Sequence, residues 1–312
     1  MMRRLAVVLA VLVCLATSSW SAGVELRHKL RPGETLTYTV ELSGNGTITA
    51  MGMTEPMVTK GSLVYTQRVI GVDAQGNIEL RATCTEAKIA AKWGDEVLPI
   101  NLTVPPIVVT MTPTGEIVSS KVEQVPDQEA QREVEPLDLD ESLSLLGPLL
   151  QQFGLGGGNP TMMSPGRDFL NTSKLFGTLR SPGFPTEPVD VGSQWHEVVK
   201  MELERSTPME TKCDSTLLAL QPANGETVAT IRASYETPLD IPMQDRGGLF
   251  TISGSDKGTV TSEFSVDRGR VLKSVGQTTS TMKMEAAQAV GLLGLPVSVS
   301  MTSTMKYEVT LK

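Results

Sequence analysis

The stretch PGETLTYTVEL, residues 32–42, decides the fold. Leu36, Tyr38, Val40 and Leu42 fall on every second position, and threonines and a glutamate fill the places between them. Successive strand side chains point to opposite faces, so this spacing describes a strand with one apolar and one wet face. The stretch NIELRATC, residues 77–84, repeats it: Ile78, Leu80, Ala82 and Cys84 alternate with Glu79, Arg81 and Thr83. Half-buried strands of this kind belong to antiparallel sheets. The sequence therefore predicts a mainly β chain of curved, half-barrel-like antiparallel sheet.

The chain also says similar things twice. PGETLTYTVEL resembles VGSQWHEVVKMEL (191–203), VDAQGNIEL (72–80) resembles QPANGETVATI (221–231), and MTPTGEIVSS (111–120) resembles SVDRGRVLKS (265–274). Each pair is aligned on a glycine, Gly33 with Gly192, Gly76 with Gly225 and Gly115 with Gly269, at offsets of 159, 149 and 154 residues. Glycine enters the positive-φ region of tight turns without a Cβ clash. The near-constant offset predicts two similar β units, 22–121 and 188–312.

Between them, residues 122–187 are of another material. An acidic run ends at Glu141. Ser142 then stands as an N-cap before Leu143, Leu145, Leu146, Leu149 and Leu150, which predicts a short amphipathic helix interrupted at Pro148. The glycine-rich GLGGG (154–158) and the proline-stiffened RSPGFPTEPVDVG (180–192) follow.

At the other end of the chain, Arg3 and Arg4 precede an apolar run from Leu5 to Ala16, and small residues follow it. That layout predicts a secretory signal over residues 1–21, and hence an exported protein, periplasmic or extracellular. The formal net charge is −8 and becomes −10 once the segment carrying Arg3 and Arg4 is removed, which excludes a nucleic-acid surface. No second apolar run reaches the roughly 18 residues of a membrane helix, so no transmembrane segment is expected in the mature chain.

Catalytic chemistry finds little support. Ser280 with Lys283, and Ser303 with Lys306, match a Ser-x-x-Lys nucleophile motif. That motif needs a helix, where residues three apart share a face, whereas on a strand they point apart. The two histidines are His28, near the mature terminus, and His196 beside Trp195; neither belongs to a ligand or base pattern. The acidic DLDES (138–142) starts like a calcium loop but has Leu143 where glycine is required. The methionine pairs Met51 with Met53, and Met282 with Met284, have a spacing that soft Cu(I) ligation would use, and equally one that core filling would use. No cofactor is implied. Aromatic residues make up only 4% of the chain, which argues against a sugar-binding cleft. Cys84 and Cys213 form a disulfide candidate in an oxidising compartment.

The signal layout, the paired turns, the inserted helix and the run FPTEPVDVGSQW (184–195) together resemble uncharacterised bacterial envelope proteins of a duplicated, domain-of-unknown-function type. The resemblance implies no catalytic residues. At the level of fold it is similar to half-barrel lipoprotein carriers, which implies a non-enzymatic protein that binds a lipid-like ligand or another envelope protein through its curved sheet; a hydrolase with a dispersed site and a purely structural module are the alternatives. Two connections are unusually apolar. Leu145, Leu146, Leu149, Leu150 and Phe153 in the first, and Leu292 and Leu293 in the second, are expected either to plug a concave face or to act as an apolar lid over it.

Overall fold

The alternation of residues 32–42 extends over the whole of a computed structural model, which describes residues 23–50, 53–93, 96–100, 106–123, 183–201, 209–245, 248–286 and 298–312. Its strands are β1 (Thr35–Ala50), β2 (Met53–Val72), β3 (Ile78–Trp93), β4 (Glu96–Ile100), β5 (Ile107–Met111), β6 (Ile117–Val122), β7 (Gln194–Met201), β8 (Met209–Ala223), β9 (Glu226–Asp245), β10 (Gly248–Ser265), β11 (Arg270–Ala286) and β12 (Ser298–Leu311). Among the described residues there is no helix. The signal segment 1–21, the helix predicted at residues 142–150 and the apolar stretch 287–297 lie outside the described residues.

All twelve strands form one antiparallel sheet, ordered β6-β5-β3-β2-β1-β12-β11-β10-β9-β8-β7. The short strands β4 and β5 pair with opposite ends of β3, through Ile89–Trp93 and Ile78–Ala82, and share one place in the order. Each half of the chain is an up-and-down meander. The first and last strands then pair over thirteen positions, from Tyr38 opposite Leu311 to Ala50 opposite Val299. The mainly antiparallel β expectation is met, but the two expected units are parts of a single sheet, nearly closed into a barrel with its seam between β6 and β7.

Apolar side chains face inward and polar ones outward. On β1 the inner row is Leu36, Tyr38, Val40 and Ile48, all buried, while Glu41, Ser43, Asn45 and Thr47 face out. A strand that faces lipid has the reverse pattern. Curvature depends on paired small and large residues. Gly258 lies opposite Tyr235 and Gly276 opposite Tyr307 in register, and a Cβ on either glycine would collide with the tyrosine ring. Each ring folds flat over the bare backbone of its neighbour, which lets the sheet bend tightly.

One end of the sheet is closed by the chain that precedes β1. Residues 23–31 run as an extended strap across the hairpin ends. Val24 makes a bridge with Val189, the His28 amide donates to the Pro113 carbonyl, and the Lys29 amide donates to the Gly269 carbonyl. Leu26 is fully buried with Phe184, Leu217, Ile231 and Phe264. The strap therefore ties the turn beside β6 to the segment that leads into β7, below the open seam.

The two meanders start with the same hydrogen bonds. Gly33 donates to Val69 O, Val69 to Glu34 O and Glu34 to Arg31 O; Gly192 donates to Leu217 O, Leu217 to Ser193 O and Ser193 to Asp190 O. A register shift follows Val69 in one and Leu217 in the other. All six glycines aligned in the sequence have positive φ, between 62° and 90°.

Gly269 differs from its fellows because the strap lies directly on it: a Cβ there would meet the Lys29 amide and the Arg27 carbonyl, whereas Gly225 has open space. Gly225→Ala is expected to cost about 1 kcal/mol from its φ alone. Gly269→Ala should cost at least about 2 kcal/mol, read as a lowered urea midpoint, because strap displacement is added to the backbone strain. Equal costs at the two positions would mean that the strap does not pack as described.

Candidate functional site

The inward faces converge on a partly open cavity of about 100 Å³ at the strap end. Its wall is drawn from β1, β2, β3, β5, β6, β11, β12 and the strap, so the sheet wraps around it. Leu30, Leu36, Leu80, Val109, Met111, Ile117, Val271 and Val309 supply an aliphatic lining, interrupted by His28, Tyr38, Tyr65, Gln67, Arg270 and Ser274.

These polar groups are not all satisfied. Arg270 pairs with Glu34 at 2.6 Å, both side chains 19% exposed, but its Nε is buried without a hydrogen-bond partner. Tyr38 donates to the Val271 carbonyl and stacks on Tyr65, with ring centroids 5.1 Å apart. Burial raises both phenols above the usual tyrosine range, so both keep their protons. The Tyr65 hydroxyl and the Gln67 amide have no partner among the described residues. Ser274 is satisfied by Ser262 at 2.8 Å.

His28 is packed between Phe184 and Phe264, with centroids at 5.2 and 5.6 Å. Burial pushes its pKa down to about 4, partly offset by a bond to the Gly269 backbone. The ring Nε2 is buried without a hydrogen-bond partner, and in the neutral ring it donates or accepts according to the tautomer.

Farther from the strap the inner face changes character. On one wall Asp256 accepts from Thr278 and Ser280 at 2.7 and 2.6 Å, beside Tyr235, whose pKa burial pushes up to about 12. Beyond that level Met282 pairs with Met301 across β11 and β12, and Met305 lies opposite Gly44. Soft, unbranched methionines adapt to irregular apolar shapes.

The residues singled out in the sequence are dispersed. Ser280 faces inward and is buried, and Lys283 faces outward in a pair with Glu285, so the two do not meet. His196 is exposed and bonds Asp214 across strands at 2.9 Å. Cys84 on β3 and Cys213 on β8 form no disulfide with each other and have six strands between them in the sheet order. Leu145, Leu146, Leu149, Leu150, Phe153, Leu292 and Leu293 lie outside the described residues. Sequence reasoning passed over the cavity's polar set. For His28 a signal existed, because VELRHKL (24–30) alternates Val24, Leu26, His28 and Leu30 against Glu25, Arg27 and Lys29, which places the imidazole in an apolar row. For Arg270, Tyr65 and Gln67 there was none.

The buried imidazole makes stability depend on pH. The unfolded chain takes up the proton near 6.5 and the folded chain only near 4, so the contribution is complete above about pH 6.5 and is lost as pH falls towards 4. The wild type should lose on the order of 3 kcal/mol over that window relative to His28→Leu. Parallel urea-denaturation profiles of the two proteins between pH 7 and 4 would show that His28 is not buried neutral.

No family model matches the sequence, and no curated protein does. Among solved structures, lipovitellin is similar at 8% identity and a TM-score of 0.40, over 91% of this chain and 25% of its own, so the chain spans a quarter of that protein's length. An outer membrane channel from Pseudomonas putida F1 is similar at 7% identity and a TM-score of 0.21, over 92% of this chain and 98% of its own. A DUF1329 family protein from Desulfovibrio piger is similar at 9% identity and a TM-score of 0.13, over 86% and 83%. At these scores the likenesses assign no family, and the β architecture rests on its own strand pairing.

Proposed function

We propose that this chain is an exported, non-catalytic binding protein of the cell envelope that holds a lipid-like molecule on its concave face. The carrying observation is the aliphatic cavity at the strap end, which lies on the same inward face of the sheet as Met282, Met301 and Met305. Small-molecule sites are concave, mainly apolar and fitted with a few polar groups, and this cavity has that composition. At about 100 Å³ it is smaller than the ~150 Å³ cavity that accepts benzene in another protein. It therefore takes one end of a ligand whose remainder runs along the curved sheet.

The export assignment rests on the segment 1–21. The repeated hydrogen bonds around Gly33 and Gly192 support descent of the units 22–121 and 188–312 from one duplicated ancestor, with 122–187 inserted between them.

The test is binding of Nile red by the mature chain, followed by displacement with twelve-carbon amphiphiles. Saturable dye fluorescence that such chains reverse is the expected result. Leu80→Asp, which places a charge in the cavity wall, should abolish it while far-UV circular dichroism stays β-type. Failure of the wild type to bind the dye or any chain would leave a structural module.

A further inference from the structure

The polar groups at the closed end of the cavity carry more information than its volume does. Four of them have no hydrogen-bond partner among the described residues: Arg270 Nε and His28 Nε2, both buried, and the Tyr65 hydroxyl and Gln67 amide. A buried polar atom without a partner costs about 1–3 kcal/mol, and such atoms cluster where something else binds. Three of the groups offer hydrogens, namely the Arg270 Nε–H, the Tyr65 O–H and the Gln67 NH₂. The Gln67 carbonyl accepts, and His28 Nε2 donates or accepts according to its tautomer.

We infer that this end of the cavity is a headgroup site for the carboxyl of a single-chain fatty acid, which enters head first with its chain directed towards the methionine wall. The inference rests on the lipid-binding reading above. A carboxyl group has two oxygens with about four lone-pair sites, enough to meet all three donors and His28 Nε2 as a fourth, and in its protonated form it has a hydroxyl to give to that nitrogen instead. An alcohol has one oxygen and leaves donors unmet. An ammonium head has only hydrogens to offer, and the carboxylate nearest the cavity, Glu34, is already paired with Arg270. The walls exclude a bulky head: Val109, Met111, Ile117, Arg270 and Val271 are among the residues that line a volume of about 100 Å³. Orientation follows from the same distribution, since the unanswered polar atoms lie beside the strap and the soft apolar side chains lie away from it.

The experiment is Nile red displacement from the full mature chain by dodecanoic acid and by dodecylammonium, which share a chain and differ in the head. Dodecanoic acid should displace the dye at a concentration at least tenfold lower. Tyr65→Phe and Gln67→Leu, near-isosteric changes that each remove polar capacity, should each raise the half-displacement concentration of the acid at least fivefold and leave that of the ammonium compound within twofold. The wild-type comparison stands even where a variant folds poorly. Equal displacement by the two heads would overturn the headgroup site while leaving the apolar reading intact. A preference for the ammonium head would overturn it and direct attention to Asp256. Absence of dye binding would overturn both.

Discussion

The pairing of β1 with β12 is the contact on which the rest depends, because it joins two meanders into one sheet. It brings together residues such as Tyr38 and Leu311 from opposite ends of the chain. Closing a loop of that length costs roughly 5 kcal/mol of chain entropy in the simplest polymer treatment. Val40 is fully buried opposite Val309, and Tyr307 is buried opposite Leu42. At about 1.5–3 kcal/mol for each buried side chain, three of them already offset the closure. Without this pairing each meander would expose a long edge, which invites association with other strands. The cavity would not exist either, since its walls come from both sides of the joint.

Curvature and closure come from different devices. Tyr235 over Gly258 and Tyr307 over Gly276 bend the sheet at mid-height, where one bulky ring and one missing side chain share a site. The strap closes the end, with Leu26 as its anchor and main-chain bonds to Pro113, Gly269 and Val189. Arg270 links them, because its ion pair with Glu34 spans from the start of β11 to the start of β1, past β12. The same arginine then lines the cavity, so the group that braces the fold is also available to a ligand.

Local features were legible in the sequence, and contacts between distant parts of the chain were not. The alternation at Leu36, Tyr38 and Val40 and the turn glycines follow from period and steric freedom within a few residues, and the structure has both. The opposition of Ser280 and Lys283 followed from the same period. The single sheet could not be read, because β1 and β12 each look like an ordinary amphipathic strand whose partner is set by global topology. The Gly–Tyr pairs become visible only when the register is known. The cavity's polar set is harder still: Gln67 and Arg270 occupy positions where polar residues are unremarkable, and only the wrapping of the sheet turns them inward. His28 was overlooked for a different reason, since nearness to a terminus suggests exposure and its alternation with Leu26 and Leu30 is the stronger cue.

The inner face is graded along its length, and the grading constrains what it can hold. At the strap end, apolar walls surround hydrogen-bonding atoms that nothing among the described residues satisfies. At mid-height, Asp256, Thr278 and Ser280 satisfy one another, and Ser262 satisfies Ser274. Farther up, methionine and aliphatic side chains dominate, with Met282 beside Met301. A sheet built only to enclose a core would leave its buried polar atoms paired at every level, as native interiors do. Here the middle level obeys that rule and the closed end departs from it. The departure lies at the strap end, where backbone bonds to Pro113, Gly269 and Val189 hold the strap in place. Stability alone gives no reason to keep unpaired donors there, because replacing them with aliphatic side chains would remove a desolvation cost. Occupation by a molecule with an oxygen-rich end does give a reason.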